Sequence, residues 1–429
     1  MAIKEIMGFG RVDRASVDVR LFNKVHSLDN LKTLSSFAIR GSGMSYGDSA
    51  ISDANVLCTS TFDKLVNWDA DSGILALQSG VTIEKLLEFC VPLGWFPCVL
   101  AGTKKISIGG AIASDVHGKN HHNAGSFCDY VLDIELWTPD YGVLICSRDI
   151  NRELFFATCG GMGLTGVILS ATIQLKAISS PYMNQVTSRK EDLGSVLCAL
   201  SLDAHDYSVA WLDLANSGRG VVISGDHVVH SDSLFVDRGS SISIPNWVPR
   251  MFNKLTISVF NQAYFWKPSS ESFKQVHYDK FFFPLDIVDG WEGFYGQKGF
   301  RQIQFVVPEY CAQNFIEYFI RKVNDLGLKS FLTIAKRFGV GGSGLLSFPM
   351  SGYTIASDFA DSDEVEVLFN DVASKIIDVG GKIYLTKDSL LGEQVFKSMY
   401  KKHGEFMELR GVYDKDGALK TRQSERLGL

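Results

Sequence analysis

Two glycine-bearing stretches carry the residues best suited to chemistry. The first, RGSGMSYGD over 40–48, holds three glycines in nine residues, just after the apolar pair Phe37-Ala38. A strand is expected to enter at Ile39. Gly41 and Gly43 then permit positive φ, so successive amides can turn inward as a nest for an anion. Asp48 closes the loop as an acceptor for a ribose hydroxyl or a backbone amide; an ordinary turn-rich hairpin is the competing reading. The second stretch, AGTKKISIGGAIASDVHGKNHHNAGSF over 101–127, offers Gly102-Thr103, Gly109-Gly110 and the small-residue run Ala111–Ser114. Small residues in register let a large flat ligand lie against the backbone. His117 and Lys119 then supply polar groups where that ligand is accessible. His117, His121 and His122 invite a metal reading, but no carboxylate or thiol pattern completes a shell, and no metal site is assigned.

A third stretch, GMGLTG over 161–166, matches the dinucleotide pattern Gly-x-Gly-x-x-Gly. That mechanism needs a strand before the glycines and a helix after them. Here the helical ELFFAT precedes and the β-branched VILSATIQL follows, so the order is reversed. A tight connection beneath a bound group, or only a turn, is the better reading.

These loops need a scaffold. A chain of 429 residues is long enough for two domains. Its 46% hydrophobic and 21% charged residues are those of a globular protein with large cores. The net charge of -6 gives no footprint for nucleic acid. Eight cysteines stand singly, without Cys-x-x-Cys, which suits thiols in a reducing compartment. The first twenty residues lack an apolar core of signal-peptide length, and no run suits a membrane-spanning helix, so a cytoplasmic location is expected.

Up to about residue 60 the pattern is αβ, with SLDNLKTLSS as an amphipathic helix and FAIRG as a strand. Between 65 and 175, strands at Ile74–Leu77, Val131–Trp137, Val143–Cys146 and Val167–Leu175 alternate with helices. Ile83–Cys90 is one of those helices, with Thr82 as its cap. Beyond Pro181, YSVAWLDLA, GVVISGDHVV and FRQIQFVVP read as strands of an antiparallel sheet covered by the helix QNFIEYFIRKVNDLG. DEVEVLFNDVASKIID reads as a further helix, stopped at Gly380-Gly381 and followed by a short strand and a polar loop. The last forty residues are too few for a domain and are expected to pack back on what precedes them.

Together, RGSGMSYGD, AGTKKISIGGAIASDVHGKNHHNAGSF and ELFFATCGGMGLTGVILSATI resemble flavin-dependent oxidases of the vanillyl-alcohol-oxidase type. Within that superfamily the chain is most similar to the oxidases of decaprenylphosphoryl-β-D-ribose. The likeness continues through YSVAWLD, QIQFVVP, KSFLTIAKRFG, LLSFPMSGYTIASDF and GGKIYLTKDS, in order and over nearly the full length. The HGKNHH block and the late KDS are its specific parts.

The resemblance implies an α+β fold: a two-subdomain, PCMH-type FAD-binding domain over 1–180, an antiparallel-sheet substrate domain over 181–381, and a C-terminal return over 382–429. Carried over by position, the loop Ile39, Arg40, Gly41, Ser42, Gly43, Met44, Ser45, Tyr46, Gly47, Asp48 and Ser49 holds the FAD diphosphate. Gly102, Ser107, Ser114, Asp115, Val116 and His117 line the flavin, as does Ile168, and Tyr384 contacts it from the returning segment. Related sugar-lactone oxidases often place a flavin-tethering histidine where Met44 stands; a thioether cannot make that bond, so non-covalent FAD is expected.

The implied reaction is oxidation of the 2′-hydroxyl of a polyprenyl-phosphoryl pentose, the first half of an epimerisation that a short-chain NAD(P)H-dependent reductase would complete. Lys387 is the implied base or alkoxide stabiliser, against the alternative of a surface lysine. Tyr46 and His117 stand beside it as catalytic candidates, and Lys119, Gln304 and Lys336 as substrate contacts. Lys336 also has the option of a surface ion pair, and Asp388 either orients Lys387 or caps its loop. Ala356 replaces the pocket cysteine of mycobacterial relatives. Phe282 and Phe283 make an expected substrate-domain strand more apolar than the Tyr-His pair the resemblance implies there. Residues 241–270 combine Arg250, Lys254 and Lys267 with six aromatics and no acid. They read either as an interfacial flap on anionic lipid or as a buried element. Two other functions stay open: an FAD oxidase of a different sugar or sugar alcohol, and a flavin-binding scaffold without turnover.

Overall fold

The computed structural model describes residues 2–21, 31, 34–229, 242–243 and 254–429. The amphipathic helix expected over 27–36 falls largely outside them, as does the part of 241–270 holding Trp247, Arg250 and Phe252. The architecture is α+β, with three principal sheets.

The first has four strands in the order Ala2–Met7, Arg14–Leu21, Asn55–Cys58, Ala38–Arg40. Its first pair is antiparallel and the other pairs are parallel. The second is antiparallel and runs Leu65–Asp69, Ile74–Gln78, Val167–Ala177, Val131–Thr138, Gly142–Ser147, with Trp95–Pro97 pairing at the far end of Val167–Ala177. The third has eight antiparallel strands in the order Glu271–His277, Tyr182–Lys190, Arg219–His227, Tyr207–Asp213, Thr333–Phe338, Gly352–Ala360, Phe300–Val307, Lys382–Ile383.

Local chemistry explains the elements that frame the cleft. In the helix Ile83–Cys90, Thr82 Oγ1 accepts from the amide of Lys85, and Ile83, Leu86, Leu87 and Cys90 bury one stripe. The helix Ile108–Ala113 is made of small residues, and Ser107 Oγ caps it by accepting from Gly110 N at 3.3 Å. Ile108, Ala111 and Ile112 turn into the core, and the glycines are left on the other side. On the eight-stranded sheet, the helix Ala312–Asp325 buries Phe315, Ile316, Phe319, Ile320 and Val323, each worth about 1.5–3 kcal/mol.

Tyr278–Phe282 is a helix, where a strand was expected. Phe281, Phe282 and Phe283 are fully buried and pack with Phe96 and Tyr207. An apolar aromatic run has no periodicity that separates a buried turn of helix from a buried strand. In the helix Lys254–Trp266, Asn261 and Phe265 are buried while Val259, Phe260 and Trp266 are exposed.

The C-terminal residues lie against the first sheet and the third. Phe37 N donates to Ala418 O, Lys420 N to Phe37 O, and Arg422 N to Ile51 O. Tyr400 Oη donates to Ile383 O at 2.7 Å, and Gln423 Nε2 to Leu385 O at 2.7 Å.

Candidate active site

A cleft lies between the loop after Ala38–Arg40, the helix Ile108–Ala113 and the connection 161–166. Ile39, Gly41, Ser42, Gly43, Met44, Ser45 and Ser49 form one wall; Ser107, Ser114 and Val116 form another, with Ile168 between them. Among the described residues, the amides from Gly41 to Ser45 have no backbone acceptor. Gly43 has φ +70°, and a Cβ on Gly41 would strike Ser107 Oγ, so the loop closes on the helix only because these positions are glycine.

Part of this wall was not expected from the sequence. Ala50, Thr59, Ser79 and Thr386 line the cleft without having been singled out; the expected Gly109 and Gly110 line it too, as do Met162, Gly163 and Gly166. The last three belong to the GMGLTG segment, which forms a tight connection beneath the cleft, and Gly163 has positive φ with only Ile39 Cβ near its missing side chain. Thr386, over two hundred residues further along the chain, had no local signal.

Several expected cofactor residues lie off the wall. Arg40 turns away to donate to Met7 O at 2.7 Å. Gly47 packs against the Asp388 carbonyl. Asp48 was read as an acceptor for ribose or an amide; both its oxygens instead accept from Arg426, at 2.8 and 3.1 Å. Asp115 is buried behind the helix, accepting from Ser347 Oγ and from the Cys128 amide. Gly102 is exposed, a Cβ added to it would meet nothing within 4 Å, and it is no wall residue. Tyr384 is buried, and its hydroxyl donates to Ser114 O at 2.9 Å, holding the end of the small helix.

Beyond Val116 the residues expected to handle substrate gather. Lys387 Nζ sits 3.5 Å from the centre of the Tyr46 ring. It makes no ion pair among the described residues. It keeps a partly open face, yet protein surrounds it closely enough that desolvation pulls its pKa down to about 7; Asp358 opposes that fall and Lys336 adds to it. Asp358 is fully buried, accepts from Gln302 Nε2 at 2.5 Å, and is pushed up to about 7 by burial. Gln302 Nε2 also lies 3.5 Å from the Tyr46 hydroxyl.

On the opposite side, Gln304 Nε2 donates to His117 Nε2 at 2.9 Å. The acceptor role assigns the proton of this neutral ring to Nδ1, which has no partner. Burial, then Lys336, His121 and Lys387, holds the His117 pKa well below its ordinary value, so the ring stays neutral. Its faces are packed by Phe338, Phe348 and Tyr384.

Lys336, on the strand Thr333–Phe338, has no ion pair among the described residues and is pulled down to about 8 by burial, which excludes the surface-pair option. Lys119 donates to the Phe281 carbonyl and lies 4.5 Å above the Phe281 ring; burial and Lys336 pull it to about 7. Asp388 does not touch Lys387: it caps the loop, accepting from Leu390 and Leu391 amides at 2.9 and 2.8 Å. Ala356 is paired with Gln304 across the sheet. The three histidines diverge. His121 meets Ser126 and Gly339, His122 meets the His205 carbonyl, and no group of three metal-ligating side chains forms among the described residues.

Residues 31–147 match the FAD binding domain family. The chain is 31% identical over 408 residues to decaprenylphosphoryl-beta-D-ribose oxidase of Mycolicibacterium smegmatis, covering 91% of this chain and 88% of that protein. It is 30% identical over 380 residues to the "uncharacterized protein in mprA 5'region" of Streptomyces coelicolor, covering 81% of this chain and all of that one. A shorter match, 25% over 195 residues, links 43% of the chain to 32% of the mitochondrial L-galactono-1,4-lactone dehydrogenase of Arabidopsis thaliana.

The chain belongs to the decaprenylphosphoryl-β-D-ribose oxidase family and is an FAD-dependent oxidoreductase acting on CH–OH groups. The cleft fits that cofactor. Among the described residues its loop presents amides without backbone acceptors, no lysine or arginine lines the wall, and its floor is low because glycine and alanine place nothing larger than a methyl there.

Proposed function

We propose that this enzyme oxidises the 2′-hydroxyl of a polyprenyl-phosphoryl pentose to the 2′-keto sugar. The supporting observation is the cation cluster at the cleft's end. Lys336 and Lys387 act on each other and on the neutral His117, Lys387 also faces the buried carboxyl of Asp358, and Lys119 faces Lys336. A neutral sugar gives no reason to collect three partly desolvated lysines; a phosphoryl-linked one does.

The cleft walls would hold FAD, which would supply the hydride-acceptor chemistry for the carbinol carbon. The loop 39–49 would receive its diphosphate through backbone amides, and Met44, which lines the cleft, offers no tethering nitrogen, so the cofactor is held non-covalently. Lys387 Nζ, neutral above about pH 7, takes the hydroxyl proton. The Tyr46 ring beneath it fixes its position, and Asp358 stabilises the ammonium that forms. His117 is oriented by Gln304 and presents Nδ1–H as a donor. Lys336 neutralises the phosphoryl group.

The keto product would pass to a short-chain NAD(P)H-dependent reductase, which completes epimerisation. Among the described residues no helix is long and apolar enough to cross a membrane. The exposed Val259, Phe260 and Trp266, beside Lys267, support a peripheral contact through which the lipid tail stays in the bilayer. The test is product trapping. Incubation with decaprenylphosphoryl-ribose, then borodeuteride, places deuterium at C2′ if the proposal holds. Deuterium at another carbon, or none, overturns it.

A further inference from the structure

The loop that lines the cleft and the loop that carries Lys387 meet, and one side chain joins them. Arg426 lies on the helix Arg422–Leu427, close to the chain's end. Its Nε and Nη2 donate to the two oxygens of Asp48, and its Nη1 donates to Asp388 Oδ2 at 3.0 Å and to Leu391 O at 2.6 Å. The Asp48 and Asp388 side chains are 6% and 0% exposed, so neither has water as a substitute partner. The backbones touch as well: Tyr46 N donates to Thr386 O at 3.0 Å, and a Cβ on Gly47 would collide with the Asp388 carbonyl and approach Ser389 Cβ to 2.8 Å.

We propose that Arg426 is a positioning residue that locks the cofactor loop to the catalytic loop, so that Lys387 takes its place only on a correctly seated loop 40–49. This rests on the reading of those two loops given above. Two buried carboxylates facing each other across a contact this close repel unless a cation stands between them. Asp13 adds a third acid nearby, its Oδ2 unpartnered, and burial followed by Asp48 pushes it up to about 6. Arg301 and Arg422 are the other cations facing this group, and they are already engaged: Arg301 with Asp361 and Ser389, Arg422 with Asp53 and the Arg14 carbonyl. Among the described residues, Arg426 is the cation that pairs with both carboxylates. The guanidinium plane matters, because one edge of it serves Asp48 bidentately while the remaining nitrogen reaches Asp388.

A coupling of this kind is tested without substrate, by titrating deflavinated protein with FAD. Asp388 lines no part of the cleft, and Asp388→Asn keeps the oxygen that caps Leu390 and Leu391 while losing the charge that Arg426 needs. We expect FAD affinity to fall about fivefold or more in Asp388→Asn and about tenfold or more in Arg426→Gln. The double variant should be no weaker than Arg426→Gln alone, because both changes break one link. Arg426→Lys, which keeps the charge but not the fork, should recover part of the loss. An Asp388→Asn protein that binds FAD within twofold of wild type overturns the proposal, as do Arg426→Gln and Asp388→Asn effects that multiply. If Arg426→Gln does not fold, Asp388→Asn and Arg426→Lys decide the matter alone. A wild-type protein that shows this coupling and is not reduced by the polyprenyl-phosphoryl sugar would overturn the substrate reading and leave this one standing.

Discussion

Replacing Lys387 by methionine should make the protein more stable and nearly inactive. A fall of the lysine pKa from 10.5 to about 7 corresponds to about 5 kcal/mol at 1.36 kcal/mol per unit. This is an upper bound, since Asp358 and Lys336 respond to the same charge. Below pH 7 both folded and unfolded chains hold the proton, and the folded chain bears the whole cost of keeping an ammonium out of water. Between pH 7 and 10.5 the folded chain has released the proton while the unfolded chain retains it, so stability climbs with pH. Lys387→Met removes the cost and keeps the stem against Tyr46. Its advantage in denaturant unfolding should therefore be largest below pH 7 and shrink steadily above it. Anaerobic flavin reduction by decaprenylphosphoryl-ribose should slow by about 10²- to 10⁴-fold, the usual contribution of a positioned base. In the wild type that rate should rise through about pH 7 and then level, and in Lys387→Met the rise should vanish. A variant that is less stable than wild type at pH 6, or that reduces flavin at the wild-type rate, refutes the reasoning.

Three further substitutions follow from the same geometry. Asp358→Asn removes the charge that raises the Lys387 pKa, so the rising limb of the pH–rate profile should move about one unit or more below 7; an upward move contradicts the assignment. Gly41→Ala forces a methyl onto Ser107 Oγ and should weaken FAD binding about tenfold or more in fluorescence titration, with the far-ultraviolet spectrum unchanged. Gln304→Leu strips His117 Nε2 of its donor and should cost about 1–3 kcal/mol in unfolding free energy, together with a loss in flavin reduction rate.

What the sequence made legible was mostly local. Thr82 as a cap and the stripe Ile83, Leu86, Leu87, Cys90 are readable because a helix's stabilising contacts recur within four residues. The left-handed backbone at Gly43 was legible for a similar reason, being a property of the residue itself, whereas Gly41, expected to share it, is instead placed by its close approach to Ser107. Phe282 and Phe283 were placed in a strand, and an unbroken apolar run has no period that could have corrected it. Asp48 was misassigned because its partner, Arg426, is 378 residues away, and nothing near either residue announces the pair. Gln302 and Asp358 went unmentioned for the same reason: their meaning comes from adjacent strands in the register Gln302↔Asp358, which pairing alone creates. Lys387 was reached through family likeness. Its lowered pKa is a property of the assembled surroundings, and no sequence pattern encodes it.

The most direct test is to add decaprenylphosphoryl-ribose to the oxidised, FAD-loaded enzyme in the absence of oxygen and follow the flavin absorbance. Bleaching with this substrate, and none with free ribose or ribose 5-phosphate, is the expected result. A flavin that stays oxidised with the lipid-linked sugar, or that bleaches equally with free ribose, would contradict the account.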